Sequence, residues 1–219
     1  VTFLEMQTIL GSLMNDPDEE LITNVEKKLW LNLASLEEAV HTRILWATEN
    51  LSGSDADYTA NAFFDLNTAI DGFMAPIHIF FNKKELTQTS PEQLIEKNSS
   101  WPYMTGTPTS YFIHSNKLYF YPSPTPVASD GIRVHHLKKP VAMVADSSLP
   151  FNSILRFEPL HYLIVLRAAI MAATKIGDRT KIATFQASYT QKWQEVAWIV
   201  EDVQEGYTDS VSVEGAYAY

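Results

Sequence analysis

Residues 158–176 read EPLHYLIVLRAAIMAATKI, with Leu160, Leu163, Ile164, Leu166, Ile170 and Met171 interleaved with Ala168, Ala169, Ala172 and Ala173. A helix that is apolar on nearly every side is the one other elements pack around, so this segment is the centre of the fold. His161, Arg167 and Lys175 interrupt it and leave it short of the ~20 uncharged residues that span a bilayer; the chain reads as soluble. Gly177 and Asp178 end it. Beyond them Ile182, Phe185, Tyr189, Trp193, Val196, Val200 and Val203 recur in steps of three and four, which is the core face of a last helix.

The chain also opens with helices. Thr2 and Glu5 form a capping box ahead of Phe3, Met6, Leu10 and Leu13 at helical spacing, and Asn15, Asp16 and Pro17 stop that helix. Asp18 reads as the cap of a second helix, with an apolar stripe through Ile22, Val25, Leu29, Leu33, Leu36, Val40 and Ile44. Ser35 and Glu38 would allow a restart midway, so one long helix and two collinear ones both fit. Leu51 to Tyr58, with its Ser, Gly and Asp, reads as a loop. The first twenty residues hold no basic residue ahead of their apolar positions, unlike a secretory signal.

Between Thr59 and Pro140 the period becomes that of strands. Ala62 to Leu66 and Ile77 to Phe81 read as strands, Asn82 to Lys84 as a turn, and Ser90, Pro91 and Gln93 as the start of a short helix ending near Asn98. Tyr111 to His114 and Leu118 to Tyr121 flank Ser115-Asn116-Lys117 as a hairpin, and Ile132 to Leu137 supplies a third strand. Pro122, Pro124 and Pro126 keep their segment out of any central strand. The expected organisation is therefore 1–58 as N-terminal helices, 59–140 as an inserted β-rich unit, 141–205 as C-terminal helices completing the bundle, and 206–219 as an extended tail.

Composition narrows the chemistry. The chain has 219 residues and no cysteine, which removes disulfides, thiol catalysis and thiolate metal sites. Its net charge of −10 opposes binding to phosphate backbones. No two of the eight glycines lie closer than nine residues, so the glycine-rich phosphate loops and the serine nucleophile elbow are absent. The six histidines, His41, His78, His114, His135, His136 and His161, contain no pair at metal-ligand spacing, and His135 and His136 would point to opposite faces of a strand. Carboxylate pairs such as Glu19-Glu20, Glu37-Glu38 and Glu201-Asp202 sit at helix starts or ends, where the N-terminal ones favour the macrodipole and the rest are solvated. Nothing supports an enzyme, and no cofactor or metal is implied.

Two features remain. Trp101, Tyr103, Tyr111, Tyr119, Phe120 and Tyr121 could stack sugars or bases, although cross-strand aromatic pairs stabilise small sheets anyway. Trp198 lies off the last helix's core stripe beside Gln191, Gln194 and Glu195, which is how an interface anchor sits.

The opening helices Thr2 to Trp46, the run GTPTSYFIHSNKLYFYPSP at 106–124, and Leu149-Pro150 leading into two closing helices with Tyr189 resemble, in that order, the head-tail adaptor proteins of tailed double-stranded DNA bacteriophages, also called connector or head-completion proteins. The run matches the family's Gly, x, Pro, then Tyr, then an apolar strand ending in Pro-x-Pro; Gly72 and Pro76 depart from it by interrupting an expected strand. The resemblance implies a non-enzymatic virion protein at the head-tail interface, present in the host cytoplasm before assembly. It implies a ring, commonly of twelve subunits, below the portal protein, continuing the DNA channel without binding DNA specifically and docking the tail or the next connector. By analogy the C-terminal extension reaches the portal, with Val211 and Val213 added to a sheet edge and Tyr207, Tyr217 and Tyr219 at the same contact; Trp198 is the further interface candidate. A tail tubular or stopper protein, a carbohydrate-binding module using Trp101 to Tyr121, and a small hydrolase with a scattered His and carboxylate site are the alternatives. The fold class is α+β: mainly a helical bundle of four main helices from both chain ends, with an inserted small antiparallel β unit and an extended C-terminal tail.

Overall fold

A computed structural model describes residues 1–16, 20–51, 63–124, 131–151 and 154–216. In chain order the helices are α1 Phe3–Met14, α2 Asn24–Thr42, α3 Leu66–Ala69, α4 Pro91–Lys97, α5 His161–Ile176 and α6 Arg179–Ala216. The strands are β1 Trp46–Leu51, β2 Phe63–Asp65, β3 Phe73–Phe81, β4 Lys84–Glu85, β5 Thr87–Gln88, β6 Ser110–His114, β7 Lys117–Tyr121 and β8 Ile132–Lys138. The fold is α+β. It divides into two compact units, Val1–Leu45 with Lys139–Asp209, and Trp46–Lys138 with Ser210–Tyr219.

In the first unit α5 is the centre. Leu163, Ile164, Val165, Leu166 and all four of its alanines are buried, and it packs against both α1 and α2. The stretch Phe157–Ile176 is long and apolar enough to cross a membrane, and here Phe157, Leu160 and the apolar side chains of α5 contribute to a core. Gly177, at φ 78°, closes the helix in the left-handed conformation that glycine adopts without strain. The capping box of Thr2 and Glu5 starts α1, and Asn15 ends it at φ 56°. Asp18 and the turn residue Pro17 lie outside the described residues. The cap of α2 is Thr23, boxed by Glu26, and Asp16 prepares it: its carboxylate accepts the amides of Glu20, Leu21 and Ile22 at 2.8–3.2 Å. Burial pushes that carboxyl up, but those amides and the Lys27 ammonium outweigh it and hold it below its usual range.

Helix α2 runs without a break through Ser35, because Ser35 and Glu38 are both on its buried face and do not cap anything. That face is Lys27, Leu31, Ala34, Ser35, Glu38, Ala39 and Thr42. The apolar stripe is on the other side. Val25 is 76% exposed, Leu29 54%, Leu33 42% and Val40 48%. Only the flanking Ile22 and Ile44 enter the core.

The last helix has the core face read from its periodicity: Phe185, Val196, Val200 and Val203 are buried, with Ile182, Tyr189 and Trp193 packed against them. Its backbone departs from expectation further on. The extended conformation expected from Gly206 is corrected to helix as far as Ala216. Each of the two glycines there, Gly206 and Gly215, costs a helix only about 1 kcal/mol relative to alanine, and no proline follows to end it. The alternation of Val211 and Val213 covers too few residues to override that continuity.

The second unit holds two four-stranded sheets, ordered β1-β8-β3-β4 and β2-β7-β6-β5. Trp46–Leu51, read at the end of the opening helices, is a strand: Arg43 at φ 52° ends α2, and Trp46 to Leu51 then pair with Leu137 to Ile132. The loop read at Leu51 to Tyr58 lies outside the described residues beyond Leu51. The hairpin forms as read, with Ser115 and Asn116 both at positive φ, the turn whose twist suits paired strands. Ile132 to Leu137 does not join that hairpin; it is the centre of the other sheet, between β1 and β3. Pro76 is tolerated in β3 because β4 pairs only at Phe80 and Phe81, and a register shift lies between Pro76 and His78. Phe64, Leu66, Ile79, Leu118, Phe120, Ile132 and Val134 are among the residues of this unit's core.

Candidate assembly surface

Arg167 is the charge within the all-apolar helix, and burial obliges it to find partners. Its Nε donates to Glu38 Oε1, its Nη1 to Glu37 Oε2 at 3.0 Å, and its Nη2 to the Tyr189 hydroxyl at 2.9 Å. Tyr189 in turn donates to Glu38 Oε1 at 2.8 Å. One cluster therefore ties α2, α5 and α6. Burial, followed by the Glu38 carboxylate, pushes the Tyr189 hydroxyl up to about 12, so it stays a donor. Burial opposes the Arg167 charge, yet Tyr189 and Glu38 together raise its affinity for the proton. The sequence signals this cluster only through Arg167 and Tyr189; Glu38 reads as half of a solvated pair at a helix end.

Smaller contacts fasten α2 to the segment at Met143 and to both other helices. Asn32 holds Met143 at both ends of its amide, Nδ2 to the carbonyl at 3.0 Å and Oδ1 from the backbone amide at 2.7 Å. Lys175 reaches Glu26 at 2.5 Å, and His41 lies against Trp193 with ring centroids 4.8 Å apart.

Outside this frame stand the interface candidates. Trp198 is 62% exposed on the side of α6 opposite its core face, among exposed Gln191, Gln194, Glu195 and Glu201. Tyr207, Val211 and Val213 fall on the helical backbone of α6. An edge strand is therefore not the form they take here. Tyr217 and Tyr219 lie outside the described residues. The structure brings Trp198, Tyr207, Val211 and Val213 onto one helix, and it adds the stripe Val25, Leu29, Leu33, Leu36 and Val40 on α2, which periodicity alone reads as an ordinary buried face.

The aromatic unit behaves differently. Tyr111 and Phe120 are in the core, whereas Phe112 stacks on Tyr119 at 4.8 Å with 3° between planes, Trp101 meets Phe112 edge-on, and Lys117 sits 4.1 Å over Phe63. These rings satisfy one another across the strands. Tyr103 is the exposed one. His135 and His136 are both buried and lean on different β3 rings, Phe80 and Phe73; burial lowers the pKa of His136. His78 pairs with Glu85 at 2.5 Å. Among the described residues no three His, Asp or Glu side chains converge as a metal site.

No curated protein matches the chain. A family model does: the one described as SU10 adaptor protein covers residues 1–213, with both helical ends and the strand unit between them inside the match, and the chain belongs to that family.

Proposed function

We propose that this chain forms a closed ring beneath the portal of a tailed phage, continues the DNA channel and offers a lower face to the tail or the next connector. Membership of the adaptor family over residues 1–213 carries this reading; it makes the chain a structural adaptor protein of a bacteriophage virion. Two further observations support the finer statement. A closed ring needs two different patches per subunit, and the first unit exposes apolar side chains on both α2 and α6. The net charge of −10 suits a channel through which DNA slides without binding.

Twelve copies, docking at the head-tail interface after synthesis in the host cytoplasm, and contact with the portal through the end of α6 complete the proposal. Tyr207, Val211, Val213, Tyr217 and Tyr219 make that contact. Light scattering with and without portal from the same phage tests it. Ring-sized particles, or one adaptor bound per portal subunit, are expected, and deletion of residues 207–219 abolishes the portal complex. A monomer that ignores portal overturns the reading.

A further inference from the structure

The stripe on α2 is a long apolar surface on a helix whose inward face is partly polar. Val25, Leu29, Leu33, Leu36 and Val40 follow each other at spacings of four, four, three and four, along roughly 22 Å of helix. Val25, Leu29, Leu33 and Val40 are exposed and Leu36 is half-buried; together they present on the order of 400 Å² of apolar surface, within the range of the largest patch on a typical monomer, which is often functional. That is about half of the ~800 Å² one partner brings to a standard interface. The stripe is not a consequence of a loosely placed helix, because Glu38, Asn32 and Glu26 each fasten α2 to another element.

The charges at its ends select the occupant. Lys28 and Arg43 flank the stripe, and among the described residues neither is in an ion pair. The acids of the same helix, Glu26, Glu37 and Glu38, are held by Lys175 and, for the last two, by Arg167. Two copies laid α2 against α2 would set basic ends together in either direction: Lys28 against Arg43 when antiparallel, each against itself when parallel. Like charges in register oppose such a pairing. The outer face of α6 has the complementary character, with Trp198 as an apolar anchor and Glu195 and Glu201 beside it. Lys192 holds Glu195 from within that helix at 2.9 Å, and both are exposed enough to exchange partners.

We infer that α2 of one copy packs along the outer face of α6 of the next, with Trp198 seated on Leu29, Leu33 and Leu36, and that this head-to-tail contact joins neighbours in the ring. The inference rests on the ring reading above and names its interface. Because the two patches differ, every copy keeps one of each, so association propagates until the rotation closes it.

The absence of native cysteine makes the test direct. Leu33→Cys and Trp198→Cys are introduced singly and together into the full chain, which is oxidised mildly both alone and bound to portal. A non-reducing gel of the double variant is expected to show a ladder of multimers, while each single variant stays monomeric. In parallel Leu33→Glu, a change at an exposed position, is expected to abolish ring-sized particles in light scattering. A missing ladder in both settings overturns the inference, as does a dimer from Leu33→Cys alone as abundant as the double variant's products, which would place α2 on α2. Wild-type rings without the ladder refute this interface and leave the ring standing; a ladder that grows without closing supports the interface and refutes the ring.

Discussion

Arg167 and Glu38 decide which way α2 faces. With Glu38 drawn onto the Arg167 guanidinium, Leu36 and Val40, two residues to either side, are rotated about 200° away around the axis. The ion pair and the solvent-facing stripe are thus one arrangement: a buried carboxylate on one side of α2 leaves Leu29, Leu33 and Val40 exposed on the other. The second Glu38 oxygen is buried with no hydrogen-bond partner among the described residues, so the pair is held at some cost in stability. Such a cost is consistent with a device that specifies orientation rather than maximises stability.

Removing one member should therefore be severe and removing both mild. Arg167→Met leaves Glu38 buried without its countercharge and is expected to cost about 3–5 kcal/mol, whereas the double variant with Glu38→Leu recovers most of that loss. Urea unfolding of the four species of this cycle gives the coupling directly. Additive losses would mean that the two side chains do not act as a pair.

Neighbouring leucines on α2 should answer oppositely to the same truncation. Leu31 is fully buried and Leu33 is not. Leu31→Ala is expected to lower the unfolding free energy by about 2–5 kcal/mol, and Leu33→Ala to change it by no more than about 0.5 kcal/mol. Both are measured by denaturation at protein concentrations where the chain is monomeric. A large loss at Leu33 would show that the monomer covers its own stripe.

Most of the helical framework was legible because its signals are local. Capping residues Thr2 and Glu5, the all-apolar run through α5 and the three-four spacing of α6 each act within a few turns of chain. The hairpin at Ser115 and Asn116 is local in the same way. Pairing between distant segments was not legible: nothing within Ile132 to Leu137 says that it joins Trp46 to Leu51 rather than the nearby hairpin. Nor could periodicity show which side of α2 is inward, because it reports that an apolar face exists and not what covers it. Of the candidate surface, Trp198 was legible because it breaks its own helix's pattern, and the α2 stripe was not because it conforms to one.

The hairpin turn is open to improvement. Ser115 and Asn116 have φ of 50° and 60°, a conformation that asparagine followed by glycine adopts with least strain. Ser115→Asn with Asn116→Gly is expected to stabilise the protein by about 0.5–1 kcal/mol, relief of the left-handed backbone outweighing the entropy that glycine adds to the unfolded chain, read as a rise in the thermal midpoint. The Asn116 side chain gives up only an exposed 3.3 Å contact with Asn67, and the backbone bond from Leu66 to the residue 116 carbonyl is retained. A fall in the midpoint would mean that the Asn67 contact outweighs the relief of strain.

His161 should make the first unit sensitive to acid. Burial lowers its pKa to about 4, while the Glu158 carboxylate opposes the shift; its Nε2 is buried without a partner among the described residues. The folded state thus prefers the neutral ring. Above the unfolded value of about 6.5 both states are neutral and the native stability is intact. As pH falls from there to about 4 the unfolded chain takes up a proton that the folded one resists, and stability declines by up to about 3 kcal/mol before levelling off. Asp16 and Glu26, whose pKa values are lowered in the fold, add their own losses at the acid end of this range, so the wild-type profile alone does not isolate the histidine. His161→Phe does, since it keeps a ring near Phe151, which lies 6.0 Å away, and every carboxylate contribution is common to both proteins. The difference in unfolding free energy between variant and wild type is expected to move in the variant's favour between pH 7 and pH 4. A difference that stays flat across that interval would mean that His161 titrates alike in both states.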